Sequence, residues 1–154
     1  MTVKPIPDGY HTVTPYLAVD GAASALEFYK KAFGAEERMR MEAHGKIMHS
    51  EIKIGNSVVM LADEFPEMGH LGPKTVGGNP VSLMIYVEDV DKMFTRAIEA
   101  GAKEKRALNN EFYGDRIGAV TDPFGHVWTL ATHVEDVPKD EMDRRFNDMM
   151  KKGG

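Results

Sequence analysis

Residues 11–34, HTVTPYLAVDGAASALEFYKKAFG, decide the fold. His11 to Val19 is rich in β-branched and aromatic residues of alternating character, the pattern of a strand with one buried face. Pro15 has no N–H to give to a ladder, which predicts an edge strand or a bulge. Asp20-Gly21 ends the strand. From Ala22 to Phe33, Leu26, Tyr29 and Phe33 recur at helical spacing with Phe28 beside them. Gly34 then stands where helices commonly end. The same order returns at residues 81–101, VSLMIYVEDVDKMFTRAIEAG. Here an apolar strand (Val81 to Val87) precedes a helix with Val90, Phe94, Ala97 and Ile98 on one face, closed by Gly101.

Each strand–helix pair is followed by three short strands. In the first half these are Ala35 to Met41, Lys46 to Ile54 and Ser57 to Ala62, the last two joined by Gly55-Asn56, a tight hairpin signal. In the second half they are Lys103 to Leu108, Gly114 to Thr121 and Gly125 to Thr132, with the turn Asp122-Pro123-Phe124-Gly125 between the last two. Gly34 matches Gly101 at an offset of 67 residues, and Gly55 matches Gly125 at an offset of 70. This is an internal repeat resting on element order and glycine placement. The expected fold class is α+β. Two paired βαβββ modules, residues 11–62 and 81–133, form curved mixed sheets around a cavity. Residues 63–80, rich in Pro and Gly, read as a linker or lid. The tail reads as a helix over residues 137–152, capped by Asp136 and striped with Met142, Phe146, Met149 and Met150. All of this fits one domain spanning residues 1–154.

Composition narrows the function. The chain has 154 residues, a formal charge of −5 and no cysteine. Thiolate metal sites, disulfides and cysteine nucleophiles are therefore excluded. The acidic balance argues against nucleic-acid binding, which usually needs a basic face. No apolar run approaches the roughly 18 residues of a membrane span. The first residues lack a signal-peptide core, so the expected location is cytoplasmic.

Three stretches carry a resemblance to a known family. They are TPYLAVDGAASALEFYKKAFGAEE (14–37), YVEDVDKMFTRAIEAGA (86–102) and GDRIGAVTDPFGHVWTLATHVED (114–136). Together with the two-module order they resemble the vicinal oxygen chelate superfamily, of glyoxalase/bleomycin-resistance type, in its PhnB-like branch. The resemblance implies a small-molecule cavity on the concave sheet face, and a homodimer in which modules can be exchanged across the 63–80 linker. It also implies, in metal-using members, four ligands drawn from the first and last strand of each module. Counted onto this chain, those positions are Thr14, Val59, Ser82 and Thr129. Hydroxyls are poor ligands for zinc, nickel, manganese or iron, and Val is none at all. The usual divalent-metal site is thus expected to be absent, and the sequence names no cofactor. The methyltransferase label carried by some PhnB-like proteins finds no glycine-rich, cofactor-cradling loop after the first strand.

Other residues offer chemistry. His49 and Glu51 stand two apart on one strand and so share a face. They are the candidate catalytic pair, and with His11 the only weak candidates for metal ligands. A plain polar pair on the sheet is the alternative. Strand alternation lines the cavity with Thr14, Tyr16, Ser82, Tyr86 and Thr129 and turns Trp128 into the core. Tyr113 and Arg116 are further ligand-binding candidates, Arg116 as a bidentate clamp for a carboxylate or phosphate. His44, His70 and His126 are expected to be solvated in turns. The expected function is binding of a small molecule in the cavity, either as an enzyme on an oxygen-rich metabolite or as a metal-free sequestering protein.

Overall fold

The first strand is short because of one residue. Pro15 offers no donor, although its carbonyl accepts the Met60 N–H at 2.9 Å. Strand β1 therefore runs only over Tyr16–Val19, not from His11. Helix α1 follows over Ala22–Phe33 and ends on Gly34 in the left-handed region (φ 66°). Strands β2 (Glu36–Ala43), β3 (Lys46–Ile54) and β4 (Ser57–Asp63) complete the first module. The second module has β5 (Ser82–Tyr86), α3 (Val90–Ala100), β6 (Lys103–Asn110), β7 (Asp115–Thr121) and β8 (Val127–His133). Between them lies the short helix α2 (Pro73–Val76), and the tail is α4 (Lys139–Gly153). This is a computed structural model, and it describes residues 2–153.

The two sheets have the same topology, β1-β4-β3-β2 and β5-β8-β7-β6. In each, the first strand runs parallel to the last and the other pairs are antiparallel. The expected βαβββ repeat is thus present. Its register is clearer than the glycine matches suggested. Tyr16 pairs with Met60 and Met60 with Glu51. Met84 pairs with Thr129 and Thr129 with Ala119. The modules therefore correspond at an offset of 68 residues through β1, α1 and β3, and of 69 in β4. The residue that raises the offset from 68 to 69 lies in the turn between β7 and β8.

Helix capping obeys the same correspondence. Gly21 has no side chain to cap α1, and the Asp63 carboxylate does so instead, accepting the Ala22 N–H at 2.8 Å. Asp63 also accepts the Ile47 N–H at 2.7 Å. Thr132, 69 residues on, accepts the Val90 N–H of α3 at 2.9 Å. Asp89 adds a second cap, accepting from Lys92 N–H.

Helices α1 and α3 lie on one face of the sheets, and a single core joins the modules. Trp128 is fully buried, with its ring centroid 4.9 Å from that of Phe33 and 5.3 Å from that of Tyr29. Asp122 holds the polar ends of this cluster. Its Oδ2 accepts from Tyr29 Oη at 2.6 Å and from Trp128 Nε1 at 2.9 Å. Its Oδ1 accepts the N–H groups of Phe124 and His126. A buried carboxylate persists because all of these donors satisfy it. The sequence expectation of a solvated His126 is overturned. The ring is buried, and its Nε2–H donates to the carbonyl of Ala18 at 2.9 Å. The β7–β8 turn is thereby bolted onto β1.

The 63–80 segment is ordered against the body. Glu64 accepts the Gly72 N–H at 2.6 Å, and Phe65 bridges to His70. Asp136 does not cap α4. It accepts from His133 instead, and the helix starts at Lys139. Helix α4 buries no residue fully. It is held by Arg145, which bonds the Glu135 carboxylate and the Phe112 carbonyl, and by Phe146 against Phe112.

Candidate functional site

Alternation assigns each strand residue to the helix-packed face or to the opposite, open face. On the first sheet, Val59 and Leu61 belong to the core, so Met60 faces the open side. The expected position Val59 is thus displaced by one residue, because the longer second turn spoils the glycine match and a one-residue shift exchanges faces. The structural counterpart of Thr129 is Met60. The four positions that correspond to the metal-bearing strands become Thr14, Met60, Ser82 and Thr129. Three hydroxyls and a soft thioether still do not suit a hard or borderline divalent ion. Among the described residues no three His, Asp or Glu side chains converge as a metal would require. His11 lies apart from His49 and Glu51, with its Nε2 3.1 Å from the carbonyl of Asn56.

The open face of the first sheet carries one cross-strand row, Tyr16–Met60–Glu51–Met39, from β1 to β2. His49 and its neighbour Met41 form the next row. A bulge beside Met41 and Glu42 interrupts the β2–β3 ladder here. His49 reaches across β4 to Tyr16 and along its own strand to Glu51. Its Nε2 lies 2.9 Å from Glu51 Oε2 and its Nδ1 2.8 Å from Tyr16 Oη. A carboxylate only accepts, so Nε2 bears the proton, and in the neutral form of the ring that leaves Nδ1 to accept from Tyr16 O–H. Tyr10, in the lead-in segment, donates to the other Glu51 oxygen, and Arg38 lies over the Tyr10 ring at 5.5 Å.

Electrostatics follow from these contacts. Burial pushes the Glu51 carboxyl up, but hydrogen bonds from Tyr10 and His49 outweigh it and hold the group below the usual carboxylate range. Burial and the Glu51 charge raise Tyr16, and the bond to Glu51 with burial raises Tyr10. Both phenols are therefore neutral beside an ionised carboxylate at neutral pH. Sequence spacing exposed His49 and Glu51. Tyr10 and Tyr16 as their partners come from distant segments, and no local signal marks them as such.

The second sheet has a different polar cluster. Tyr86 Oη donates to Asp115 Oδ2 at 2.6 Å. His133 lies 2.7 Å from Asp115 through Nδ1 and 2.7 Å from Asp136 through Nε2. Two carboxylate partners require both ring nitrogens to carry protons. The Asp115 and Asp136 bonds accordingly raise the His133 pKa. Tyr113 stands nearby in the β6–β7 turn, its hydroxyl raised by burial and by Glu111 and Asp115. Arg116 lies on the helix side of β7, away from the open face. Its Nε and Nη2 clamp the Asp91 carboxylate at 2.7 and 3.1 Å, and Nη1 reaches Asn110.

Two cavities flank the free edges of β1 and β5. One, of about 590 Å³, lies between the Gly55-Asn56 turn, residues 11–15 and β5, with Thr14, Met84, Tyr86 and Trp128 in its wall. The other, of about 530 Å³, lies under the 69–81 segment, beside Tyr16, His70 and His126. His70 stands edge-on to Tyr16 at 5.4 Å.

Residues 10–130 match the model of the Glyoxalase/Bleomycin resistance protein/Dioxygenase superfamily. The chain belongs to that superfamily. A relative in Mycobacterium tuberculosis, the uncharacterized protein Rv0887c, is 44% identical over 134 residues, which are 84% of this chain and 79% of that one. The superfamily fold is seen in several solved structures. The gene product of Arabidopsis thaliana At5g48480 superposes with a TM-score of 0.64 at 27% identity, covering 79% of this chain and 98% of that one. TioX from Micromonospora sp. ML1 gives 0.63 at 24% identity over 83% of this chain and all of its own. A PhnB protein from Bacillus cereus gives 0.60 at 18% over 79% and 99%. The last two likenesses concern the fold alone. Family membership supplies the small-molecule setting, and the donor set described above departs from the metal-using members.

Proposed function

We propose that the protein binds a small, oxygen-bearing molecule on its open sheet faces and acts on it without a divalent metal, with His49 and Glu51 as the reactive pair. The observation that carries this reading is the Tyr16–His49–Glu51 contact on the open face, beside ligand positions that offer only hydroxyls and a thioether. Thr14, ahead of β1, and Ser82, Tyr86, Thr129 and Tyr113, on the second module, are proposed as further hydrogen-bonding groups for the ligand. Metal-free sequestration is the second reading. It is favoured by the apolar share of the second sheet's open face, where Met84 and Tyr86 are 46% and 59% exposed.

A homodimer is part of the proposal. Val13, Met41, Met84 and Tyr86 all remain exposed on a single chain, and a second copy would cover such a face. Light scattering should give twice the chain mass, and a monomer at micromolar concentration would remove this part.

The function is tested by thermal shift against a panel of hydroxylated and carbonyl metabolites, with and without chelator. A true ligand at 100-fold its Kd stabilises by about 2.7 kcal/mol. The expected result is a stabiliser whose effect survives chelation and weakens in Tyr16→Ala. Stabilisation that appears only with added metal would contradict the proposal.

A further inference from the structure

We propose that Tyr16, His49 and Glu51 form a proton relay that ionises an aromatic ligand bearing a weakly acidic hydroxyl, a phenol. The inference deepens the function proposed above and rests on its small-molecule site. Tyr16 is the exposed end of the chain of contacts, 46% accessible on the open face. His49 and Glu51 are less accessible, at 21% and 12% of their side chains. A ligand can therefore reach Tyr16 while the groups behind it stay partly shielded.

The transfer balances without a co-reactant. The ligand O–H bond breaks and its proton goes to Tyr16 Oη. The proton already on Tyr16 passes to His49 Nδ1, 2.8 Å away. His49 becomes an imidazolium whose Nε2–H remains on Glu51 at 2.9 Å. The ligand is left as a phenolate, and one neutral pair has become one ion pair. Glu51 stays ionised throughout, because Tyr10 donates to its second oxygen. This is the logic of a hydroxyl–imidazole–carboxylate triad with a phenol in the first place. The titratable and charged groups facing the relay are Tyr10, Arg38 over the Tyr10 ring, and His70 edge-on to Tyr16.

The neighbours of the relay on the sheet point to an aromatic ligand. Met60 and Met39 share the Tyr16–Glu51 row, and Met41 shares the His49 row. Thioethers make favourable contacts with aromatic rings. The relay belongs to one module only. At the corresponding places the second sheet has Met84, Thr129, Ala119 and Ile117, so among the described residues the relay occurs once.

The test uses 4-nitrophenol, whose phenolate absorbs visibly, and 4-nitroanisole, which cannot ionise, with the purified full chain. At a pH below the solution pKa of 4-nitrophenol, the bound probe should be ionised about tenfold more than the free one, one unit of pKa. Tyr16→Phe and His49→Gln should still bind 4-nitroanisole, which reports an intact site, and should lose the ionisation. Bound probe that remains neutral in the wild type would overturn the relay, as would ionisation that survives both variants. Failure of both probes to bind would overturn the aromatic ligand class. If metabolites of the thermal-shift panel still stabilise the protein in either case, the underlying function stands and only the relay falls.

Discussion

Tyr16 and Glu51 stand in one row across the first sheet, two strands apart, and His49 bonds to both over the intervening Met60. The row exists because β1 pairs with β4 in parallel and β4 with β3 antiparallel, which carries Tyr16 into register with a residue 35 positions later. No stretch of local sequence contains that relationship.

Tyr10 is expected to set the ionisation of Glu51. Removing its hydroxyl in Tyr10→Phe should move the Glu51 titration upward toward the ordinary carboxylate range. The lowered pKa means that this contribution to stability is present above the unfolded value and is lost as pH falls through the folded one. Carboxyl NMR titration reads the shift directly. An unchanged Glu51 titration in the variant would show that Tyr10 does not act on it.

Asp122 should be among the most sensitive core positions. Asp122→Ala leaves the Tyr29 hydroxyl and the Trp128 N–H buried without an acceptor, at about 1–3 kcal/mol for each unpaired group. Tyr29→Phe removes one donor and keeps the ring, and should cost about 1 kcal/mol. Urea denaturation followed by Trp128 fluorescence measures both. Similar losses for the two variants would argue against a shared acceptor.

The attachment of the C-terminal segment should depend on pH through His133. Its folded pKa is raised by Asp115 and Asp136, so the stabilisation is full below the unfolded value near 6.5 and fades as pH rises through the folded one. Hydrogen-exchange protection at residues 133–139, taken relative to the base-catalysed exchange of unprotected amides, should therefore fall on passing from mildly acid to mildly alkaline solution. His133→Gln should flatten this profile, and a profile that persists in the variant would sink the assignment.

Gly118 holds α3 against the second sheet. A Cβ there would sit 2.9 Å from the Phe94 ring. Gly118→Ala should cost about 1–3 kcal/mol by overpacking. A neutral effect on the thermal midpoint would mean that Phe94 can move aside.

Much of the fold was legible in the sequence, and its failures have physical causes. The bounds of α1 and β3 follow from periodicity and flanking glycines, as read. β1 starts later than alternation predicts because the four residues of strand character from His11 to Thr14 precede a proline that cannot join the ladder. Val59 was misassigned because two turns of unequal length both contain a glycine. His126 looked like a turn residue and is one, but the turn is buried. Asp136 has a cap's chemistry but lies too far before Lys139, and His133 takes it. At the site, His49 and Glu51 were visible through their spacing, whereas Tyr10 joins them only through the fold. Arg116 shows the converse, since its charge was visible but its commitment to Asp91 on α3 was not.

Thr14, Met60, Ser82 and Thr129 offer no set of donors suited to a divalent metal, and the proposed function does without one. Calorimetric titration of chelator-treated protein with zinc, nickel, manganese and iron tests it most directly. The expected result is no stoichiometric binding at micromolar concentration. One ion bound per chain, and lost in His49→Ala and Glu51→Gln, would contradict it.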